Sequence, residues 1–289
     1  MTTKDFSKPI ITAHSGCEGT GIDTMESIEK ALFYGADAIE IDVRLDPFGD
    51  MRISHDPLSI EDYLQKNLLD NVFQRVRTTS LLINFDIKEK AALYKTLDAA
   101  SNDGFPMDRL IFTGCTAPDQ LINDPQLARR ANFFINLEEL LKYVFVCHKE
   151  EFRKDVFQTL MEEPFLILID EDNEFPDIYF SESVTIRQKI YAISKIVREK
   201  IYEDTVRIYQ ETKAAAVNLP KVLLYTRMVE IMKACDIPLS VWTVNEPDMV
   251  RRCLEAGARN ITTQKIQMTK QILEQYELIP GSTPETPAE

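Results

Sequence analysis

The stretch AIEIDV at residues 38–43 sets β-branched and apolar residues around two carboxylates, Glu40 and Asp42. The apolar residues predict a buried strand, although a buried carboxylate is costly unless a partner or a ligand neutralises it. Residues two apart in a strand point to the same side, so Glu40 and Asp42 share a face. The stretch therefore predicts a strand of the core that carries a polar site.

Short apolar strands alternate with amphipathic helices along the chain. The helix over 23–34 is the clearest, because Asp23 and Glu26 resemble a capping box and Gly35 supplies the stop. The segment 165–170 could form a further strand. The other eight candidate strands are 9–14, 38–43, 81–87, 109–114, 132–137, 214–219, 238–244 and 259–264. Eight strands alternating with helices predict an α/β fold, the (β/α)8 TIM barrel.

The chain is interpreted as one TIM-barrel domain over 1–279. The region 142–212 is longer than one barrel unit needs and is rich in charged, helix-forming residues, so it predicts a helical elaboration of the barrel. The segment 280–289, PGSTPETPAE, is polar and rich in proline and threonine. We expect it to be a disordered tail.

Charge and cysteine content narrow the classes of function. The formal net charge of −14 opposes the basic surface that nucleic acid or an anionic membrane would need. We therefore expect neither nucleic-acid binding nor stable membrane association. The five cysteines are scattered and form no CxxC pair, which favours a reducing compartment over a zinc cluster or disulfide framework. Without a signal-peptide pattern we expect a cytoplasmic protein, and the oligomeric state stays open.

Ionisable side chains gather where the predicted strands end, which in a barrel is the catalytic mouth. His14 ends the first strand, and His55 ends a short extended piece over 51–56. In the third strand Asp86 and Lys88 alternate with apolar neighbours. With the two carboxylates of 38–43, these side chains are predicted to converge on one mouth.

The chemistry of this set indicates a phosphodiester-cleaving site. Glu40, Asp42 and Asp86 form an all-oxygen group, which suits a hard divalent cation such as Mg²⁺ or Ca²⁺. The two histidines suit general acid and base catalysis near neutral pH, and Lys88 suits a phosphate oxygen. Trp242, the only tryptophan, ends the seventh strand and is expected to form an apolar wall of the pocket. The expected ligand is a small-molecule phosphodiester.

Structural interpretations compete with this one. The carboxylates could be ordinary salt-bridge partners of Arg44 or Lys88. His148 begins the long helical region, away from the strand ends, and is interpreted as structural. The cysteines are interpreted as packing residues.

The order of the motifs resembles the glycerophosphodiester phosphodiesterase family. The resemblance covers roughly 9–90 and 214–270. It is carried by AHSG (13–16), GIDTMES (21–27), GADAIEIDV (35–43), DPFGD (46–50), SHD (54–56), NFDIK (84–88), VWTVN (241–245) and EAGARNITTQ (255–264). It implies a (β/α)8 barrel that binds one divalent cation through the three carboxylates. It also implies that His14 and His55 are acid and base and that Lys88 stabilises charge on phosphate.

Departures from the family concern the substrate more than the reaction. Ser15 stands in the phosphate-binding position where the family has an arginine, and a serine cannot reproduce bidentate phosphate contacts. Asp86 replaces a glutamate, which resembles the related spider-venom phospholipase D toxins. The segment between His55 and Asp86 is too short for the family's inserted subdomain, and Gln264 replaces an aspartate.

Three functions follow from the sequence. The first is divalent-metal-dependent hydrolysis of a glycerophosphodiester or a similar small phosphodiester, which would make the chain a phosphoric diester hydrolase. The second is a catalytically silent barrel that binds a phosphorylated ligand or a protein partner. The third is a phospholipase D-like lyase that ends at a cyclic phosphate.

Overall fold

The structure, a computed structural model, describes residues 8–61, 63–169, 193 and 195–277, apart from the side chain of residue 65. Its strands are β1 Ile10–Ala13, β2 Ala38–Leu45, β3 Met51–Ile53, β4 Leu82–Ile87, β5 Leu110–Gly114, β6 Asn132–Asn136, β7 Ala216–Pro220, β8 Leu239–Trp242 and β9 Ala258–Thr263. Its α-helices are α1 Met25–Tyr34, α2 Leu69–Val76, α3 Lys90–Asn102, α4 Pro118–Asn123, α5 Leu127–Arg130, α6 Leu137–Cys147, α7 Lys154–Glu162, α8 Lys195–Thr212, α9 Arg227–Ala234, α10 Pro247–Glu255 and α11 Ile266–Glu277.

Eight parallel strands close into a barrel, because β1 pairs with both β2 and β9. The sheet order is β1-β9-β8-β7-β6-β5-β4-β2, and β3 adds to β2 as an antiparallel hairpin. Helices connect the parallel strands, so the described residues have the (β/α)8 architecture that the sequence predicts.

The inner and outer faces of the barrel follow the two-residue period of the strands. On β2, Ile39, Ile41 and Val43 point outward into the apolar core between sheet and helices. Ala38 points inward and belongs to a small apolar layer across one end of the barrel interior. The members of that layer are Ile10, Ala38, Leu82, Ile111, Phe134 and Ala216.

All eight predicted strands are present, with ends that differ from the predicted ones by at most two residues. The alternative strand at 165–170 is wrong: Pro164–Leu168 is a 3-10 helix whose apolar side chains are largely buried. A short apolar run fits a strand and a buried helical turn equally well, and Pro164 at the first helical position favours the helix.

The start of α1 differs from the predicted capping box. Thr24 is the N-cap, and its side chain accepts a hydrogen bond from Ser27 N. Asp23 instead has a φ of 57° and lies outside the helix. The predicted stop is present, since Gly35 caps the helix with a φ of 67°.

The described part of the predicted elaboration 142–212 is helical, comprising most of α6 with α7 and α8. Residues 170–192 of this region and the predicted tail 280–289 lie outside the described residues. Within the described residues, no helix is both long enough and apolar enough to cross a membrane.

Candidate active site

A cavity of about 700 Å³ opens where the parallel strands end. Seven of the eight side chains that the sequence assigns to the site line it: His14, Glu40, Asp42, His55, Asp86, Lys88 and Trp242. Ser15 is not among the lining residues.

The strand register brings the three carboxylates together. Asp42 of β2 lies directly beside Asp86 of β4, and Glu40 lies two residues earlier on the same face. Each of the three offers an oxygen, and these oxygens lie within 4.8 Å of one another. Glu40 also accepts a long hydrogen bond from Asn84 Nδ2 at 3.4 Å.

Burial makes this cluster electrostatically unfavourable in the absence of a cation. Burial, followed by the charges of Asp86 and Asp42, raises the pKa of Glu40 well above its ordinary value. Burial also raises the pKa of Asp42 to about 6, in spite of the nearby Lys88 ammonium. Because a raised pKa disfavours the ionised form, both carboxylates need a positive charge beside them to stay ionised near neutral pH.

Lys88 supplies part of that charge. Its Nζ lies 2.6 Å from Asp86 Oδ2 and 3.0 Å from Asp42 Oδ1. Burial lowers the pKa of the ammonium, but the charges of Asp86 and Asp42 outweigh burial, so the pKa of Lys88 is raised. The predicted alternative of a salt bridge with Lys88 is thus present, whereas Arg44 Nε donates to the His55 carbonyl at 2.8 Å.

The donor set fits a divalent cation. Three carboxylates beside one ammonium leave two negative charges unbalanced when all are ionised. Asp42 Oδ1 is buried and makes no hydrogen bond of good geometry to the described residues, although Lys88 Nζ is near. Oxygen ligands alone suit Mg²⁺ or Ca²⁺ and do not decide between them.

His14 is held in one tautomer. Its Nδ1 lies 2.8 Å from the carbonyl oxygen of Ser15, which can only accept, so Nδ1 carries the proton. Nε2 is then the basic nitrogen, and it lies 3.6 Å from Glu40 Oε1. Burial lowers the pKa of His14, which favours the neutral imidazole that a general base requires.

His55 lies at the rim of the same cavity, with a side chain that is 62% exposed. Its Nδ1 lies 3.0 Å from Asp56 Oδ1, which orients the ring through a carboxylate. Its backbone N–H donates to Asp23 Oδ2 at 2.8 Å.

Asp23 is a site residue that the sequence reasoning assigned to a helix cap. Its Oδ1 accepts from Ser15 Oγ at 3.2 Å, and its backbone N–H donates to the same Oγ at 2.7 Å. Ser15 is therefore buried against Asp23 instead of facing the cavity. No local pattern reveals this role, because the partners of Asp23 are distant in sequence.

Gly114 at the end of β5 lets two strands approach closely beside the carboxylates. Its φ is 76°, and a Cβ at this position would collide with Asp86 Oδ1 and with the backbone of Ile87. Nothing in the local sequence assigns Gly114 to the site.

The cavity wall opposite the carboxylates contains further residues that the sequence did not predict. Asn136 at the end of β6 and Asn218 in the middle of β7 line it beside Trp242. The first turns of α6 add Glu138, Glu139 and Lys142, with Lys142 Nζ 2.5 Å from Glu138 Oε1.

His148 lies outside the cavity, as its structural interpretation requires. Its Nδ1 lies 2.8 Å from Glu151 Oε1, and its Nε2 lies 2.6 Å from Asp204 Oδ2. The ring thereby ties the end of α6 to α8. Of the cysteines, Cys115 lines the cavity, while Cys17 and Cys253 are buried.

Neither a family model nor a curated protein matches the sequence. Solved structures do match the fold. A glycerophosphodiester phosphodiesterase from Thermotoga maritima is 18% identical with a TM-score of 0.56, covering 92% of this chain and 98% of its own. One from Parabacteroides distasonis is 15% identical with a TM-score of 0.60, covering 92% and 97%. A phosphodiesterase from Oleispira antarctica, solved with the product sn-glycerol-3-phosphate, is 14% identical with a TM-score of 0.55, covering 92% and 97%. The chain therefore has the fold of the glycerophosphodiester phosphodiesterases.

Proposed function

We propose that this chain is a divalent-metal-dependent phosphodiesterase that hydrolyses a glycerophosphodiester or a similar small phosphodiester. The observation that carries the proposal is the convergence of three carboxylates, two histidines and a lysine on one cavity. The fold shared with glycerophosphodiester phosphodiesterases supports it, as does the sn-glycerol-3-phosphate in the Oleispira antarctica structure. We expect this activity in the cytoplasm.

Glu40, Asp42 and Asp86 would hold the cation. When bound, Mg²⁺ or Ca²⁺ supplies a Lewis acid and a template for the phosphate group. Lys88, which already lies against two of the carboxylates, donates to a phosphate oxygen as negative charge builds on it.

The two histidines move the protons. In the first step a hydroxyl of the glycerol arm attacks phosphorus, and His14 Nε2 takes its proton. The bond from phosphorus to the other alcohol breaks, and His55 gives that oxygen a proton, leaving a cyclic phosphate. Water then opens the ring with the roles reversed: His55 takes a proton from water and His14 returns one to the glycerol oxygen.

Ser15 has an indirect role in this scheme. Its hydroxyl is engaged with Asp23, so the phosphate contacts that an arginine would make are not replaced by Ser15. We assign Ser15 to holding Asp23, and Trp242 to the apolar wall that the alcohol contacts.

Hydrolysis assays test the proposal. The purified chain is incubated with glycerophosphodiesters and with an aryl phosphodiester, in Mg²⁺, Ca²⁺ or EDTA. We expect metal-dependent turnover that His14→Asn reduces by roughly 100-fold or more, the scale of general acid–base catalysis. His148→Asn, a histidine change outside the cavity, is the matched control. Turnover that survives EDTA, or that His14→Asn leaves intact, contradicts the proposal.

The product distinguishes hydrolase from lyase. Phosphorus NMR of the completed reaction is expected to show a linear monoester. A cyclic phosphate that persists would assign the phospholipase D-like lyase instead.

A silent, ligand-binding barrel is a second candidate, favoured by one observation. Lys88 already bridges Asp42 and Asp86, which partly neutralises the cluster without a metal. This candidate predicts phosphate binding in EDTA and no turnover over a broad panel of diesters.

A further inference from the structure

A hydrogen-bonded row of polar side chains crosses four strands inside the barrel and reaches the last residue of a fifth, β6. Thr12 Oγ1 donates to Asn260 Oδ1 at 2.6 Å, and Asn260 Nδ2 donates to Ser240 Oγ at 2.8 Å. Ser240 Oγ lies 2.7 Å from the Asn218 amide, which lies 2.9 Å from the Asn136 amide. Four of the five are at most 8% exposed, namely Thr12, Ser240, Asn218 and Asn260. Such a buried row fixes its members, because each broken bond leaves a polar group unpaired.

The row ends against the tryptophan of the cavity. The Asn218 amide lies 3.2 Å from Trp242 Nε1. An indole N–H can only donate, so the amide oxygen of Asn218 must face it, while the amide nitrogen donates to Ser240 O at 3.2 Å and Ser240 Oγ at 2.7 Å. In the opposite orientation two donors would face each other.

We propose that Asn218 is a positioning residue, which holds the indole of Trp242 in place as the wall of the substrate cavity. The strand geometry supports this role, because Asn218 on β7 lies beside Ser240 on β8, and Trp242 follows two residues later on the same face. Asn136 lies against the same terminal atom of the Asn218 amide as the indole does, at 2.9 Å. Because that atom is the amide oxygen, the amide nitrogen of Asn136 must face it and donate to it. Asn136 lines the same cavity. The effect of Asn218 on substrate rests on the proposed phosphodiesterase function, but its effect on the indole does not.

The single tryptophan makes the test direct, because all indole fluorescence of the chain comes from Trp242. The variants are Asn218→Leu, which keeps the shape without an acceptor, and Asn218→Asp, which keeps an acceptor. Thr12→Val breaks the far end of the same row and is the matched control. We expect Asn218→Leu to shift the emission maximum and to lower the anisotropy, because the released indole moves more freely. Asn218→Asp and Thr12→Val should retain the wild-type signal.

Kinetics add a second readout. Asn218→Leu should raise KM by roughly tenfold with a smaller change in kcat, since a wall that orients substrate contributes to binding. In a Trp242→Phe background the same change should add little, because its target is gone.

Unchanged emission and anisotropy in a folded Asn218→Leu variant would overturn the proposal, as would an equal change in Thr12→Val. The proposal would also be overturned if Asn218→Leu raised KM in the Trp242→Phe background as much as it does in the wild-type chain. If Asn218→Leu does not fold, Asn218→Ala takes its place. Because fluorescence needs no turnover, failure of this proposal can be told apart from failure of the phosphodiesterase proposal.

Discussion

The carboxylate of Asp23 accepts a hydrogen bond from the backbone N–H of His55 at 2.8 Å, although the two residues are 32 positions apart. Its other oxygen accepts from Ser15, the neighbour of His14. One buried side chain thus connects the two segments that carry the histidines of the cavity. Their relative position depends on this connection.

Replacing Asp23 should therefore reduce both catalysis and stability. Asp23→Ala removes the acceptor for the His55 N–H, so we expect kcat to fall by about tenfold and the free energy of unfolding by about 1–3 kcal/mol. Thermal unfolding and steady-state hydrolysis of a glycerophosphodiester measure both. Asp37→Ala is the control, because Asp37 Oδ2 accepts from Ile11 N at 2.9 Å, before β2 and away from the cavity. Equal loss of kcat in both variants would refute the connecting role.

Restoring the arginine of the resembled family should not improve the enzyme. The Ser15 side chain is 3% exposed and faces Asp23, so Ser15→Arg must displace that carboxylate or overpack its surroundings. We expect a loss of about 1–3 kcal/mol in unfolding free energy and no gain in kcat/KM. Ser15→Ala isolates the lost hydrogen bond, at about 1 kcal/mol. A rise in kcat/KM for Ser15→Arg would show that the position does face phosphate.

A methyl group at Gly114 should disturb the metal site. The added Cβ collides with Asp86 Oδ1, so Gly114→Ala is expected to lower the affinity for Mg²⁺ or Ca²⁺ by about tenfold or more. Gly104→Ala is a matched control: its φ of 69° imposes similar backbone strain, but nothing lies within 4 Å of its added Cβ. Calorimetric titration of the cation compares the two variants. Wild-type affinity in Gly114→Ala would mean that Asp86 is not a ligand.

Metal binding should release protons around pH 6. Burial raises the pKa of Asp42 to about 6 and that of Glu40 well above its usual range, so both carboxyls hold protons at lower pH. In the metal-free chain a raised carboxyl pKa favours the folded state only while the carboxyl is protonated, and this stability is lost as pH rises from the unfolded value towards about 6. A bound cation offsets that loss of stability, because it neutralises the ionised carboxylates.

The rise in Tm on adding metal should therefore be larger at pH about 8 than at pH about 5. Calorimetry in buffers of different ionisation enthalpy counts the released protons directly. Asp42→Asn should abolish most of the difference. A Tm shift that does not depend on pH would place the cation elsewhere.

The alternation of eight short apolar strands with amphipathic helices made the barrel predictable. The two-residue period of the strands fixes which side chains point inward. It also placed Glu40, Asp42 and Asp86 on one inner face, and the register of β2 against β4 brings them together. The helical segment at Pro164–Leu168 was not predictable in this way, since its apolar run has no distinguishing period.

The residues that sequence reasoning missed depend on distant partners. Asp23 looks like a helix cap until His55 is brought beside it. Asn218 in the middle of β7 resembles any polar strand residue until the indole of Trp242 is placed 3.2 Å away. Such roles arise from tertiary contacts, which no local spacing encodes.

The central claim is that one divalent cation at the three carboxylates supports phosphodiester cleavage in this cavity. Metal-free chain is titrated with Mg²⁺ or Ca²⁺ while cation binding and glycerophosphodiester hydrolysis are measured in the same samples. We expect turnover to rise in proportion to occupancy of a single site and to reach its maximum near one cation per chain. Turnover in the metal-free chain, or turnover that does not follow occupancy, would contradict the claim.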